Sequence, residues 1–285
     1  MKRNIKITPP ITEELEHSEY LSKSKKYKGF HYSVLKPEMI DYLHYKTLEM
    51  TKEVIKIFND NDIRYMICGG TLLGAATTEK FIPWDDDVDI CVLEDDYDKM
   101  YKLLLSSLPN WMVLQCVDTD PKYYHGWVKV RDKASIVYPN EPNYKYNGVW
   151  LDLYKLTLTK KKEVPYLIVK EHLDYLERRL SHGCISEDEY CKRISDNNLI
   201  ERLEYERIKM EHNIDDSDNY TIWSASKIQV DKEWCFPTKS YNFEGLVLES
   251  FNNPDAYLIR HYGENFRTLP LEEMRRVGIN KIEYK

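Results

Sequence analysis

The chain has 285 residues, 42% of them hydrophobic and 31% charged, which is enough apolar material to bury a full core as one large domain or two small ones. Its net charge of −7 speaks against a nucleic-acid binder that works by neutralising phosphates. No run approaches the roughly 18 to 20 consecutive apolar residues of a membrane span, and the N-terminus MKRNIKITPP has no apolar centre of the signal-peptide kind, so a cytoplasmic location is expected.

Residues 1–34 are polar and without sustained period, and are expected to form an arm over the domain. Their basic run, Lys23, Lys25, Lys26 and Lys28, could meet an anionic lipid surface, although a solvated charge cluster is the default for such a run. From Pro37, well placed at a first helical position, Ile40, Leu43, Leu48, Val54, Ile55 and Phe58 recur at helical spacing and predict a helix to Asn59.

Tyr65-Met66-Ile67-Cys68 then reads as a short buried strand. Gly69-Gly70-Thr71 would let the backbone turn closely around a ligand, and the helix that follows presents an N-terminus that favours anions. Phe81-Ile82-Pro83-Trp84 leads into Asp85-Asp86-Asp87-Val88-Asp89-Ile90-Cys91-Val92, where a polar turn becomes an alternating strand. Side chains alternate faces on a strand, so Asp87 and Asp89 point the same way while Val88, Ile90 and Val92 face a core. An acidic cluster or a Gly-Gly pair alone is most often only a turn. Tied together and run into an apolar strand, they point to a hard divalent cation with oxygen ligands, Mg²⁺ fitting best and Mn²⁺ second.

Asp95 to Ser107 predicts a helix with Tyr97, Met100, Tyr101 and Leu104 on one face, and Trp111 to Val117 a strand. Trp127 to Arg131 alternates apolar and basic, with Lys129 and Arg131 on one face. That face is either wet, as on a half-exposed strand, or directed at phosphate oxygens. Gly148 to Tyr154 is an apolar strand with one isolated carboxylate, Asp152, which is costly there unless paired or bound to a metal. Asp152 is expected to complete the site with Asp87 and Asp89, the competing reading being an arginine partner.

Thr157 to Lys162 is a polar connector and the expected boundary between a core over 35–157 and a helical insertion over 158–232. In the insertion, Val164 to Leu180 and Ser186 to about Asn213 read as helices, the second with Ser186 and Glu189 in capping-box spacing. Residues 233–285 are expected to complete the core with short strands from Trp234 to Phe251 and a helix from Pro254 that Gly263 ends. His261 in its last turn is either a base or phosphate contact or, as is commoner for a lone histidine there, structural. The cysteines Cys68, Cys91, Cys116, Cys184, Cys191 and Cys235 lack the paired spacing used for zinc and read as reduced, packed thiols.

The segments GGTLLGA, FIPWDDDVDI, VKVRDKAS, GVWLDLY and YLIRHYGENF, in this order between about Asp62 and Leu269, resemble the LicD family, which includes bacterial phosphocholine transferases and fukutin-related ribitol-phosphate transferases. The pair GGTLLG and IPWDDDVD is the specific part. The resemblance implies an α+β fold, a nucleotidyltransferase-like mixed sheet flanked by helices and broken here by the helical insertion. It implies transfer of a phospho-alcohol from a CDP-activated donor to a hydroxyl of a glycan or lipid-linked glycan, with release of CMP. On that reading Asp87, Asp89 and Asp152 hold one or two Mg²⁺ ions, Gly69, Gly70 and Thr71 cradle phosphate, and Lys129 or Arg131 adds positive charge. Asp85 is then the general base, a ligand of a second metal, or a supporting hydrogen-bond partner. The alternatives are a nucleotidyltransferase using an NTP, or an inactive relative that binds a nucleotide or glycan. The chain departs from the family at Thr77-Thr78, where an arginine usually follows LLGA, and at Thr157, where an acid often follows the GVWLDLY-like strand.

Overall fold

The structure, a computed structural model, describes residues 37–138, 143–160, 164–193, 220–224, 229–268, 279 and 281–284. The expected N-terminal arm and the second insertion helix beyond residue 193 lie outside the described residues.

Helix α1 (Pro37–Asp60) opens on its proline and buries Ile40, Leu43, Val54, Ile55 and Phe58 of the predicted stripe together with Met50, while Leu48 is only partly buried. Thr47 and Thr51 are buried on the same helix, and their hydroxyls donate to the carbonyls of Leu43 and Thr47 at 2.7 and 2.8 Å, so neither hydroxyl is stranded. Strand β1 (Tyr65–Ile67) and helix α2 (Gly69–Thr77) follow. Next come β2 (Asp89–Leu93), helix α3 (Glu94–Ser107) with Met100 and Leu104 buried, and β3 (Met112–Gln115). Three acids in the first turn of α3, Glu94, Asp95 and Asp96, suit the positive end of its dipole.

The fold is α+β. Its sheet runs in the order β1-β2-β6-β4-β3, with β4 spanning Val128–Asp132 and β6 spanning Trp150–Lys160. The sheet is mixed: β2 and β6 are parallel, while β1–β2, β3–β4 and β4–β6 are antiparallel. Strand β5 (Ser135–Tyr138) pairs instead with the C-terminal β11 (Lys281–Tyr284).

Two elements differ from expectation. The polar connector expected at Thr157 is the second half of β6, which continues through Lys160. Thr157 pairs with Trp223, Thr159 with Thr221 and Lys160 with Tyr220 on β7 (Tyr220–Ser224), so the boundary placed after 157 falls inside a strand. Strand β8 (Gln229–Asp231) pairs with β7 in turn, and the range read as helical therefore ends in sheet. The partner strand lies some sixty residues on, and a local polarity pattern carries no sign of it. Within the same range α4 (Val164–Ser181) is helical as predicted, and Ser186 Oγ accepts from the Glu189 N–H at 3.1 Å, the expected capping bond.

A one-turn helix α5 (Lys232–Cys235) leads to the hairpin of β9 (Lys239–Phe243) and β10 (Leu246–Ser250). Helix α6 (Pro254–Tyr262) is capped by Asn253 and ended by Gly263 at φ 86°. His261 stacks on Tyr257 in its last turn.

Gly74 tests the packing of α2. Helix propensity alone gives Gly74→Ala about 1 kcal/mol of added stability. A Cβ at Gly74, however, would lie 2.2 Å from the Lys80 carbonyl oxygen, a backbone atom that cannot step aside. G74A is expected to lose about 1–3 kcal/mol in denaturant unfolding, and a gain would contradict this packing.

Candidate active site

The site is built where β1 passes into α2 beside β2. Cys68, the last residue before α2, donates its N–H to the Asp89 carbonyl at 3.1 Å, and the Asp89 N–H donates to Thr71 Oγ1 at 2.9 Å. These bonds fix the start of α2 against the start of β2. Gly69 has φ 54°, a conformation that favours glycine. A Cβ on Gly69 would lie 2.3 Å from Asp89 Oδ2, and one on Gly70 would lie 2.4 Å from Asp85 Oδ2. The glycine pair therefore makes room for two carboxylates at the positive end of a helix, where negative charge is favoured.

The expected phosphate cradle is accordingly smaller. The Gly69 N–H already donates to Tyr257 Oη on α6 at 2.9 Å, and the Thr71 hydroxyl is buried on Asp89. The first bond of α2 runs from the Leu72 N–H to the Cys68 carbonyl, so the amides of Gly70 and Thr71 precede the hydrogen-bonded ladder.

Parallel pairing of β2 with β6 sets Asp89 opposite Asp152, and Asp87 sits two residues before Asp89. One oxygen from each of Asp87, Asp89 and Asp152 lies within 4.8 Å of the others, and Asp85, Asp86 and Asp87 form a second such group. The sequence brings together the three acids it predicts, and Asp85 stands beside them over α2. The Asp85 carbonyl meets His44 Nε2 of α1 at 2.9 Å, which ties the acidic turn to that helix.

Against these five carboxylates stands the ammonium of Lys129. It faces Asp152 across β4 and β6 and lies 2.5 Å from Asp152 Oδ1. Trp127 Nε1 donates to the same oxygen at 2.8 Å. Trp150 Nε1 reaches Asp87 Oδ2 at 3.0 Å and Asp152 Oδ2 at 3.3 Å, and Tyr154 donates its hydroxyl to Asp89. Asp152 thus has a cationic partner, a lysine where an arginine was the competing reading, and joins the acid group as well.

The two basic residues of β4 are neither wet nor turned to solvent, since all five residues of the strand are buried. Lys129 is committed to Asp152. Arg131 donates Nε to Gln115 Oε1 and Nη1 to the Gly148 carbonyl, both at 2.6 Å, in place of the phosphate oxygens expected for it. A buried guanidinium needs such partners. Thr77 and Thr78 likewise direct their hydroxyls to the carbonyls of Leu73 and Gly74 at 2.6 and 3.3 Å, closing the end of α2 on itself.

The electrostatics separate these acids. Burial alone would weaken the acidity of Asp152, but the Lys129 charge and the bonds from Lys129 and Trp127 prevail and hold it below the usual carboxylate range. Burial, and then the charge of Asp89, push Asp85 and Asp87 well up. Burial, followed by Asp152, raises Asp89 to about 7 against the opposing pull of Lys129 and Tyr154. Such a crowd of carboxylates is relieved by a hard cation. The donor set, all oxygen, fits the magnesium, manganese and calcium class. The neighbouring Cys68 thiol is fully buried and pushed up by that burial, so it offers no thiolate for a softer metal.

Sequence reasoning missed Trp127, Trp150, Tyr154 and Tyr257. The first three were within reach, because each shares the face of its strand with Lys129 or Asp152 at a spacing of two. Tyr257 is 188 residues from the glycine it bonds, and no local pattern points to it.

The model of the family described as LicD/FKTN/FKRP, nucleotidyltransferase domain, matches residues 62–179. The lipopolysaccharide cholinephosphotransferase LicD of Haemophilus influenzae is 49% identical over 37 residues, 13% of this chain and 14% of that protein. An uncharacterized protein of Rickettsia prowazekii is 36% identical over 56 residues, 20% of this chain and 21% of its own length. One of Rickettsia typhi is 40% identical over 48 residues, 17% and 16% of the two lengths. The similar stretches span about a fifth or less of each relative.

The acidities have a consequence for stability. A carboxyl raised on folding keeps a proton that the unfolded chain has lost, so its contribution to metal-free stability falls as pH rises from 3.8 to about 7 for Asp89. Buried His44 and His125, both lowered below 6.5, act in the opposite sense. The clean comparison is therefore with Asp89→Asn. In chelator-treated protein, D89N should gain in melting temperature relative to wild type between about pH 5 and about pH 7.5. A constant difference across that range would refute the raised acidity.

Proposed function

From the premise that this chain belongs to the LicD family through the nucleotidyltransferase domain at residues 62–179, we propose that it transfers a phospho-alcohol from a CDP-activated donor to a glycan hydroxyl and releases CMP. The observation that carries the reading is the convergence of Asp87, Asp89 and Asp152 on one point, beside the N-terminus of α2. Mg²⁺ or Mn²⁺, held by these three acids, would supply positive charge to the donor diphosphate.

The chain's own groups do the rest. The Gly70 and Thr71 amides offer hydrogen bonds to phosphate oxygens at the positive end of α2. Lys129 keeps Asp152 ionised. The acceptor hydroxyl oxygen forms its bond to the phosphorus that bears the alcohol, and the bond from that phosphorus to the bridging oxygen breaks, its electron pair leaving with CMP. Asp85, which stands beside the three acids over the start of α2, is the group placed to take the hydroxyl proton.

The name of the Haemophilus relative, a cholinephosphotransferase, makes CDP-choline the first donor to test, and a polyol donor the second. Among the described residues no helix is long and apolar enough to cross a membrane, and on this reading a lipid-linked glycan is met at the membrane surface. The description of the matching domain favours a second reading, transfer of a nucleotide from CTP to a phospho-alcohol with release of pyrophosphate.

Phosphorus NMR of the protein with Mg²⁺ separates the two. CDP-choline, CDP-glycerol, CDP-ribitol and CTP with phosphocholine are supplied in turn, with and without a glycan acceptor. CMP from one CDP-alcohol is the expected product, whereas pyrophosphate from CTP hands the site to the second reading. D87N and D89N should each lower the rate by at least roughly a hundredfold while unfolding cooperatively, and full activity in either would remove the acids from the mechanism.

A further inference from the structure

We propose that Trp150 is a positioning residue of this site: its one indole N–H, shared between Asp87 and Asp152, holds the two carboxylates in one arrangement and sets which oxygen of Asp87 is left for a divalent cation. The inference rests on the reading of the acid group as a cation site and goes beyond it by assigning a role to a residue outside the ligand set.

Asp87 and Asp152 come from different parts of the chain, the turn before β2 and the second position of β6. Their oxygens are free to rotate about the carboxyl bonds unless something holds them. Trp150 lies two residues before Asp152 on the same face of β6, and its Nε1 is 3.0 Å from Asp87 Oδ2 and 3.3 Å from Asp152 Oδ2. Asp87 is then left with Oδ1 for a cation. On Asp152 the other oxygen, Oδ1, already accepts from both Lys129 and Trp127, so Oδ2, with only the longer indole contact, is the one that remains for coordination. Groups that orient metal ligands in this way are worth about 10- to 100-fold in affinity.

The surroundings of the ring strengthen its N–H. Lys129 Nζ stands 4.9 Å and Arg131 Cζ 5.1 Å from the Trp150 ring centroid. Cations over an indole face draw on its electron density, which makes the N–H a better donor to carboxylate. This gives the buried Arg131, whose own donors face Gln115 and Gly148, a link to the acids through Trp150. Packing alone does not account for the arrangement, because a phenylalanine would fill the same half-buried position without reaching either carboxylate.

The test is Mn²⁺ binding, followed by electron paramagnetic resonance, in wild type and Trp150→Phe, with unfolding of the metal-free proteins as the control. W150F should fold cooperatively and bind Mn²⁺ about tenfold or more weakly. Unchanged Mn²⁺ affinity in folded W150F overturns the proposal, since a packing role would alter only the unfolding transition. Wild type that binds no Mn²⁺ sinks the cation site itself, and the proposal with it. Should W150F fail to fold, the assigned indole N–H signal of Trp150 in proton–nitrogen NMR of the wild type decides the matter: Mg²⁺ must shift it, and a Trp150 signal that does not move rules the role out.

Discussion

The register of one strand pair governs this molecule. Strands β2 and β6 run parallel with Asp89 opposite Asp152, and a slip of one residue in either would turn its carboxylate to the other face of the sheet. The native register instead sets the buried Asp152 beside the half-buried Asp89, with Asp87 just beyond. Like charges so placed repel strongly where water is excluded. Other features around the pair limit that repulsion: the glycine pair that opens the end of α2 to carboxylates, the lysine across β4, and the indole and phenol donors on the flanking strands.

Lys129 makes the acids unequal. Its ammonium bonds one oxygen of Asp152 and leaves Asp85, Asp87 and Asp89 raised by burial first and by neighbouring carboxylates second. The result is one carboxylate held ionised and three that resist ionisation in the absence of added positive charge. A cation held by such a group would displace protons, so its affinity would depend on pH. Sharing of Asp87 between the two acid groups also means that any change at that side chain is felt by both.

Much of this was legible where the signal is local. The stripe on α1, the nearness of Asp87 to Asp89, and the lone acid in the apolar strand at Asp152 are each a local pattern, and each is found in the structure, although Asp87 stands in the turn before β2 and not on the strand. What could not be read depends on neighbours that pairing brings from afar. Lys129 and Arg131 look alike on their strand, yet one bonds Asp152 and the other bonds Gln115 and the Gly148 carbonyl, a division made by groups that other segments bring to them. Thr157 and Thr159 look like connector residues until β7 supplies their hydrogen bonds. The glycine pair was correctly singled out, but it accommodates carboxylate oxygens where close approach of a ligand was the simpler inference.

The same distinction bears on the matched stretch, residues 62–179, which holds every acid, Lys129, both site tryptophans and Tyr154. It does not hold all that positions them. Helix α1 before it meets the carbonyl of Asp85 through His44, and α6 after it accepts the first amide of α2 through Tyr257. Strands β7 and β8 extend the sheet from beyond it. The acid-bearing turn is thus gripped from both sides by parts of the chain that the family model does not cover. Groups that touch the charges are confined to a few residue types by chemistry, whereas a helix that supplies one hydroxyl or one imidazole from outside can differ widely in the rest of its sequence. A domain of this kind is recognisable by its acids but completed by its flanks, and the geometry of its acid group is a property of the longer chain.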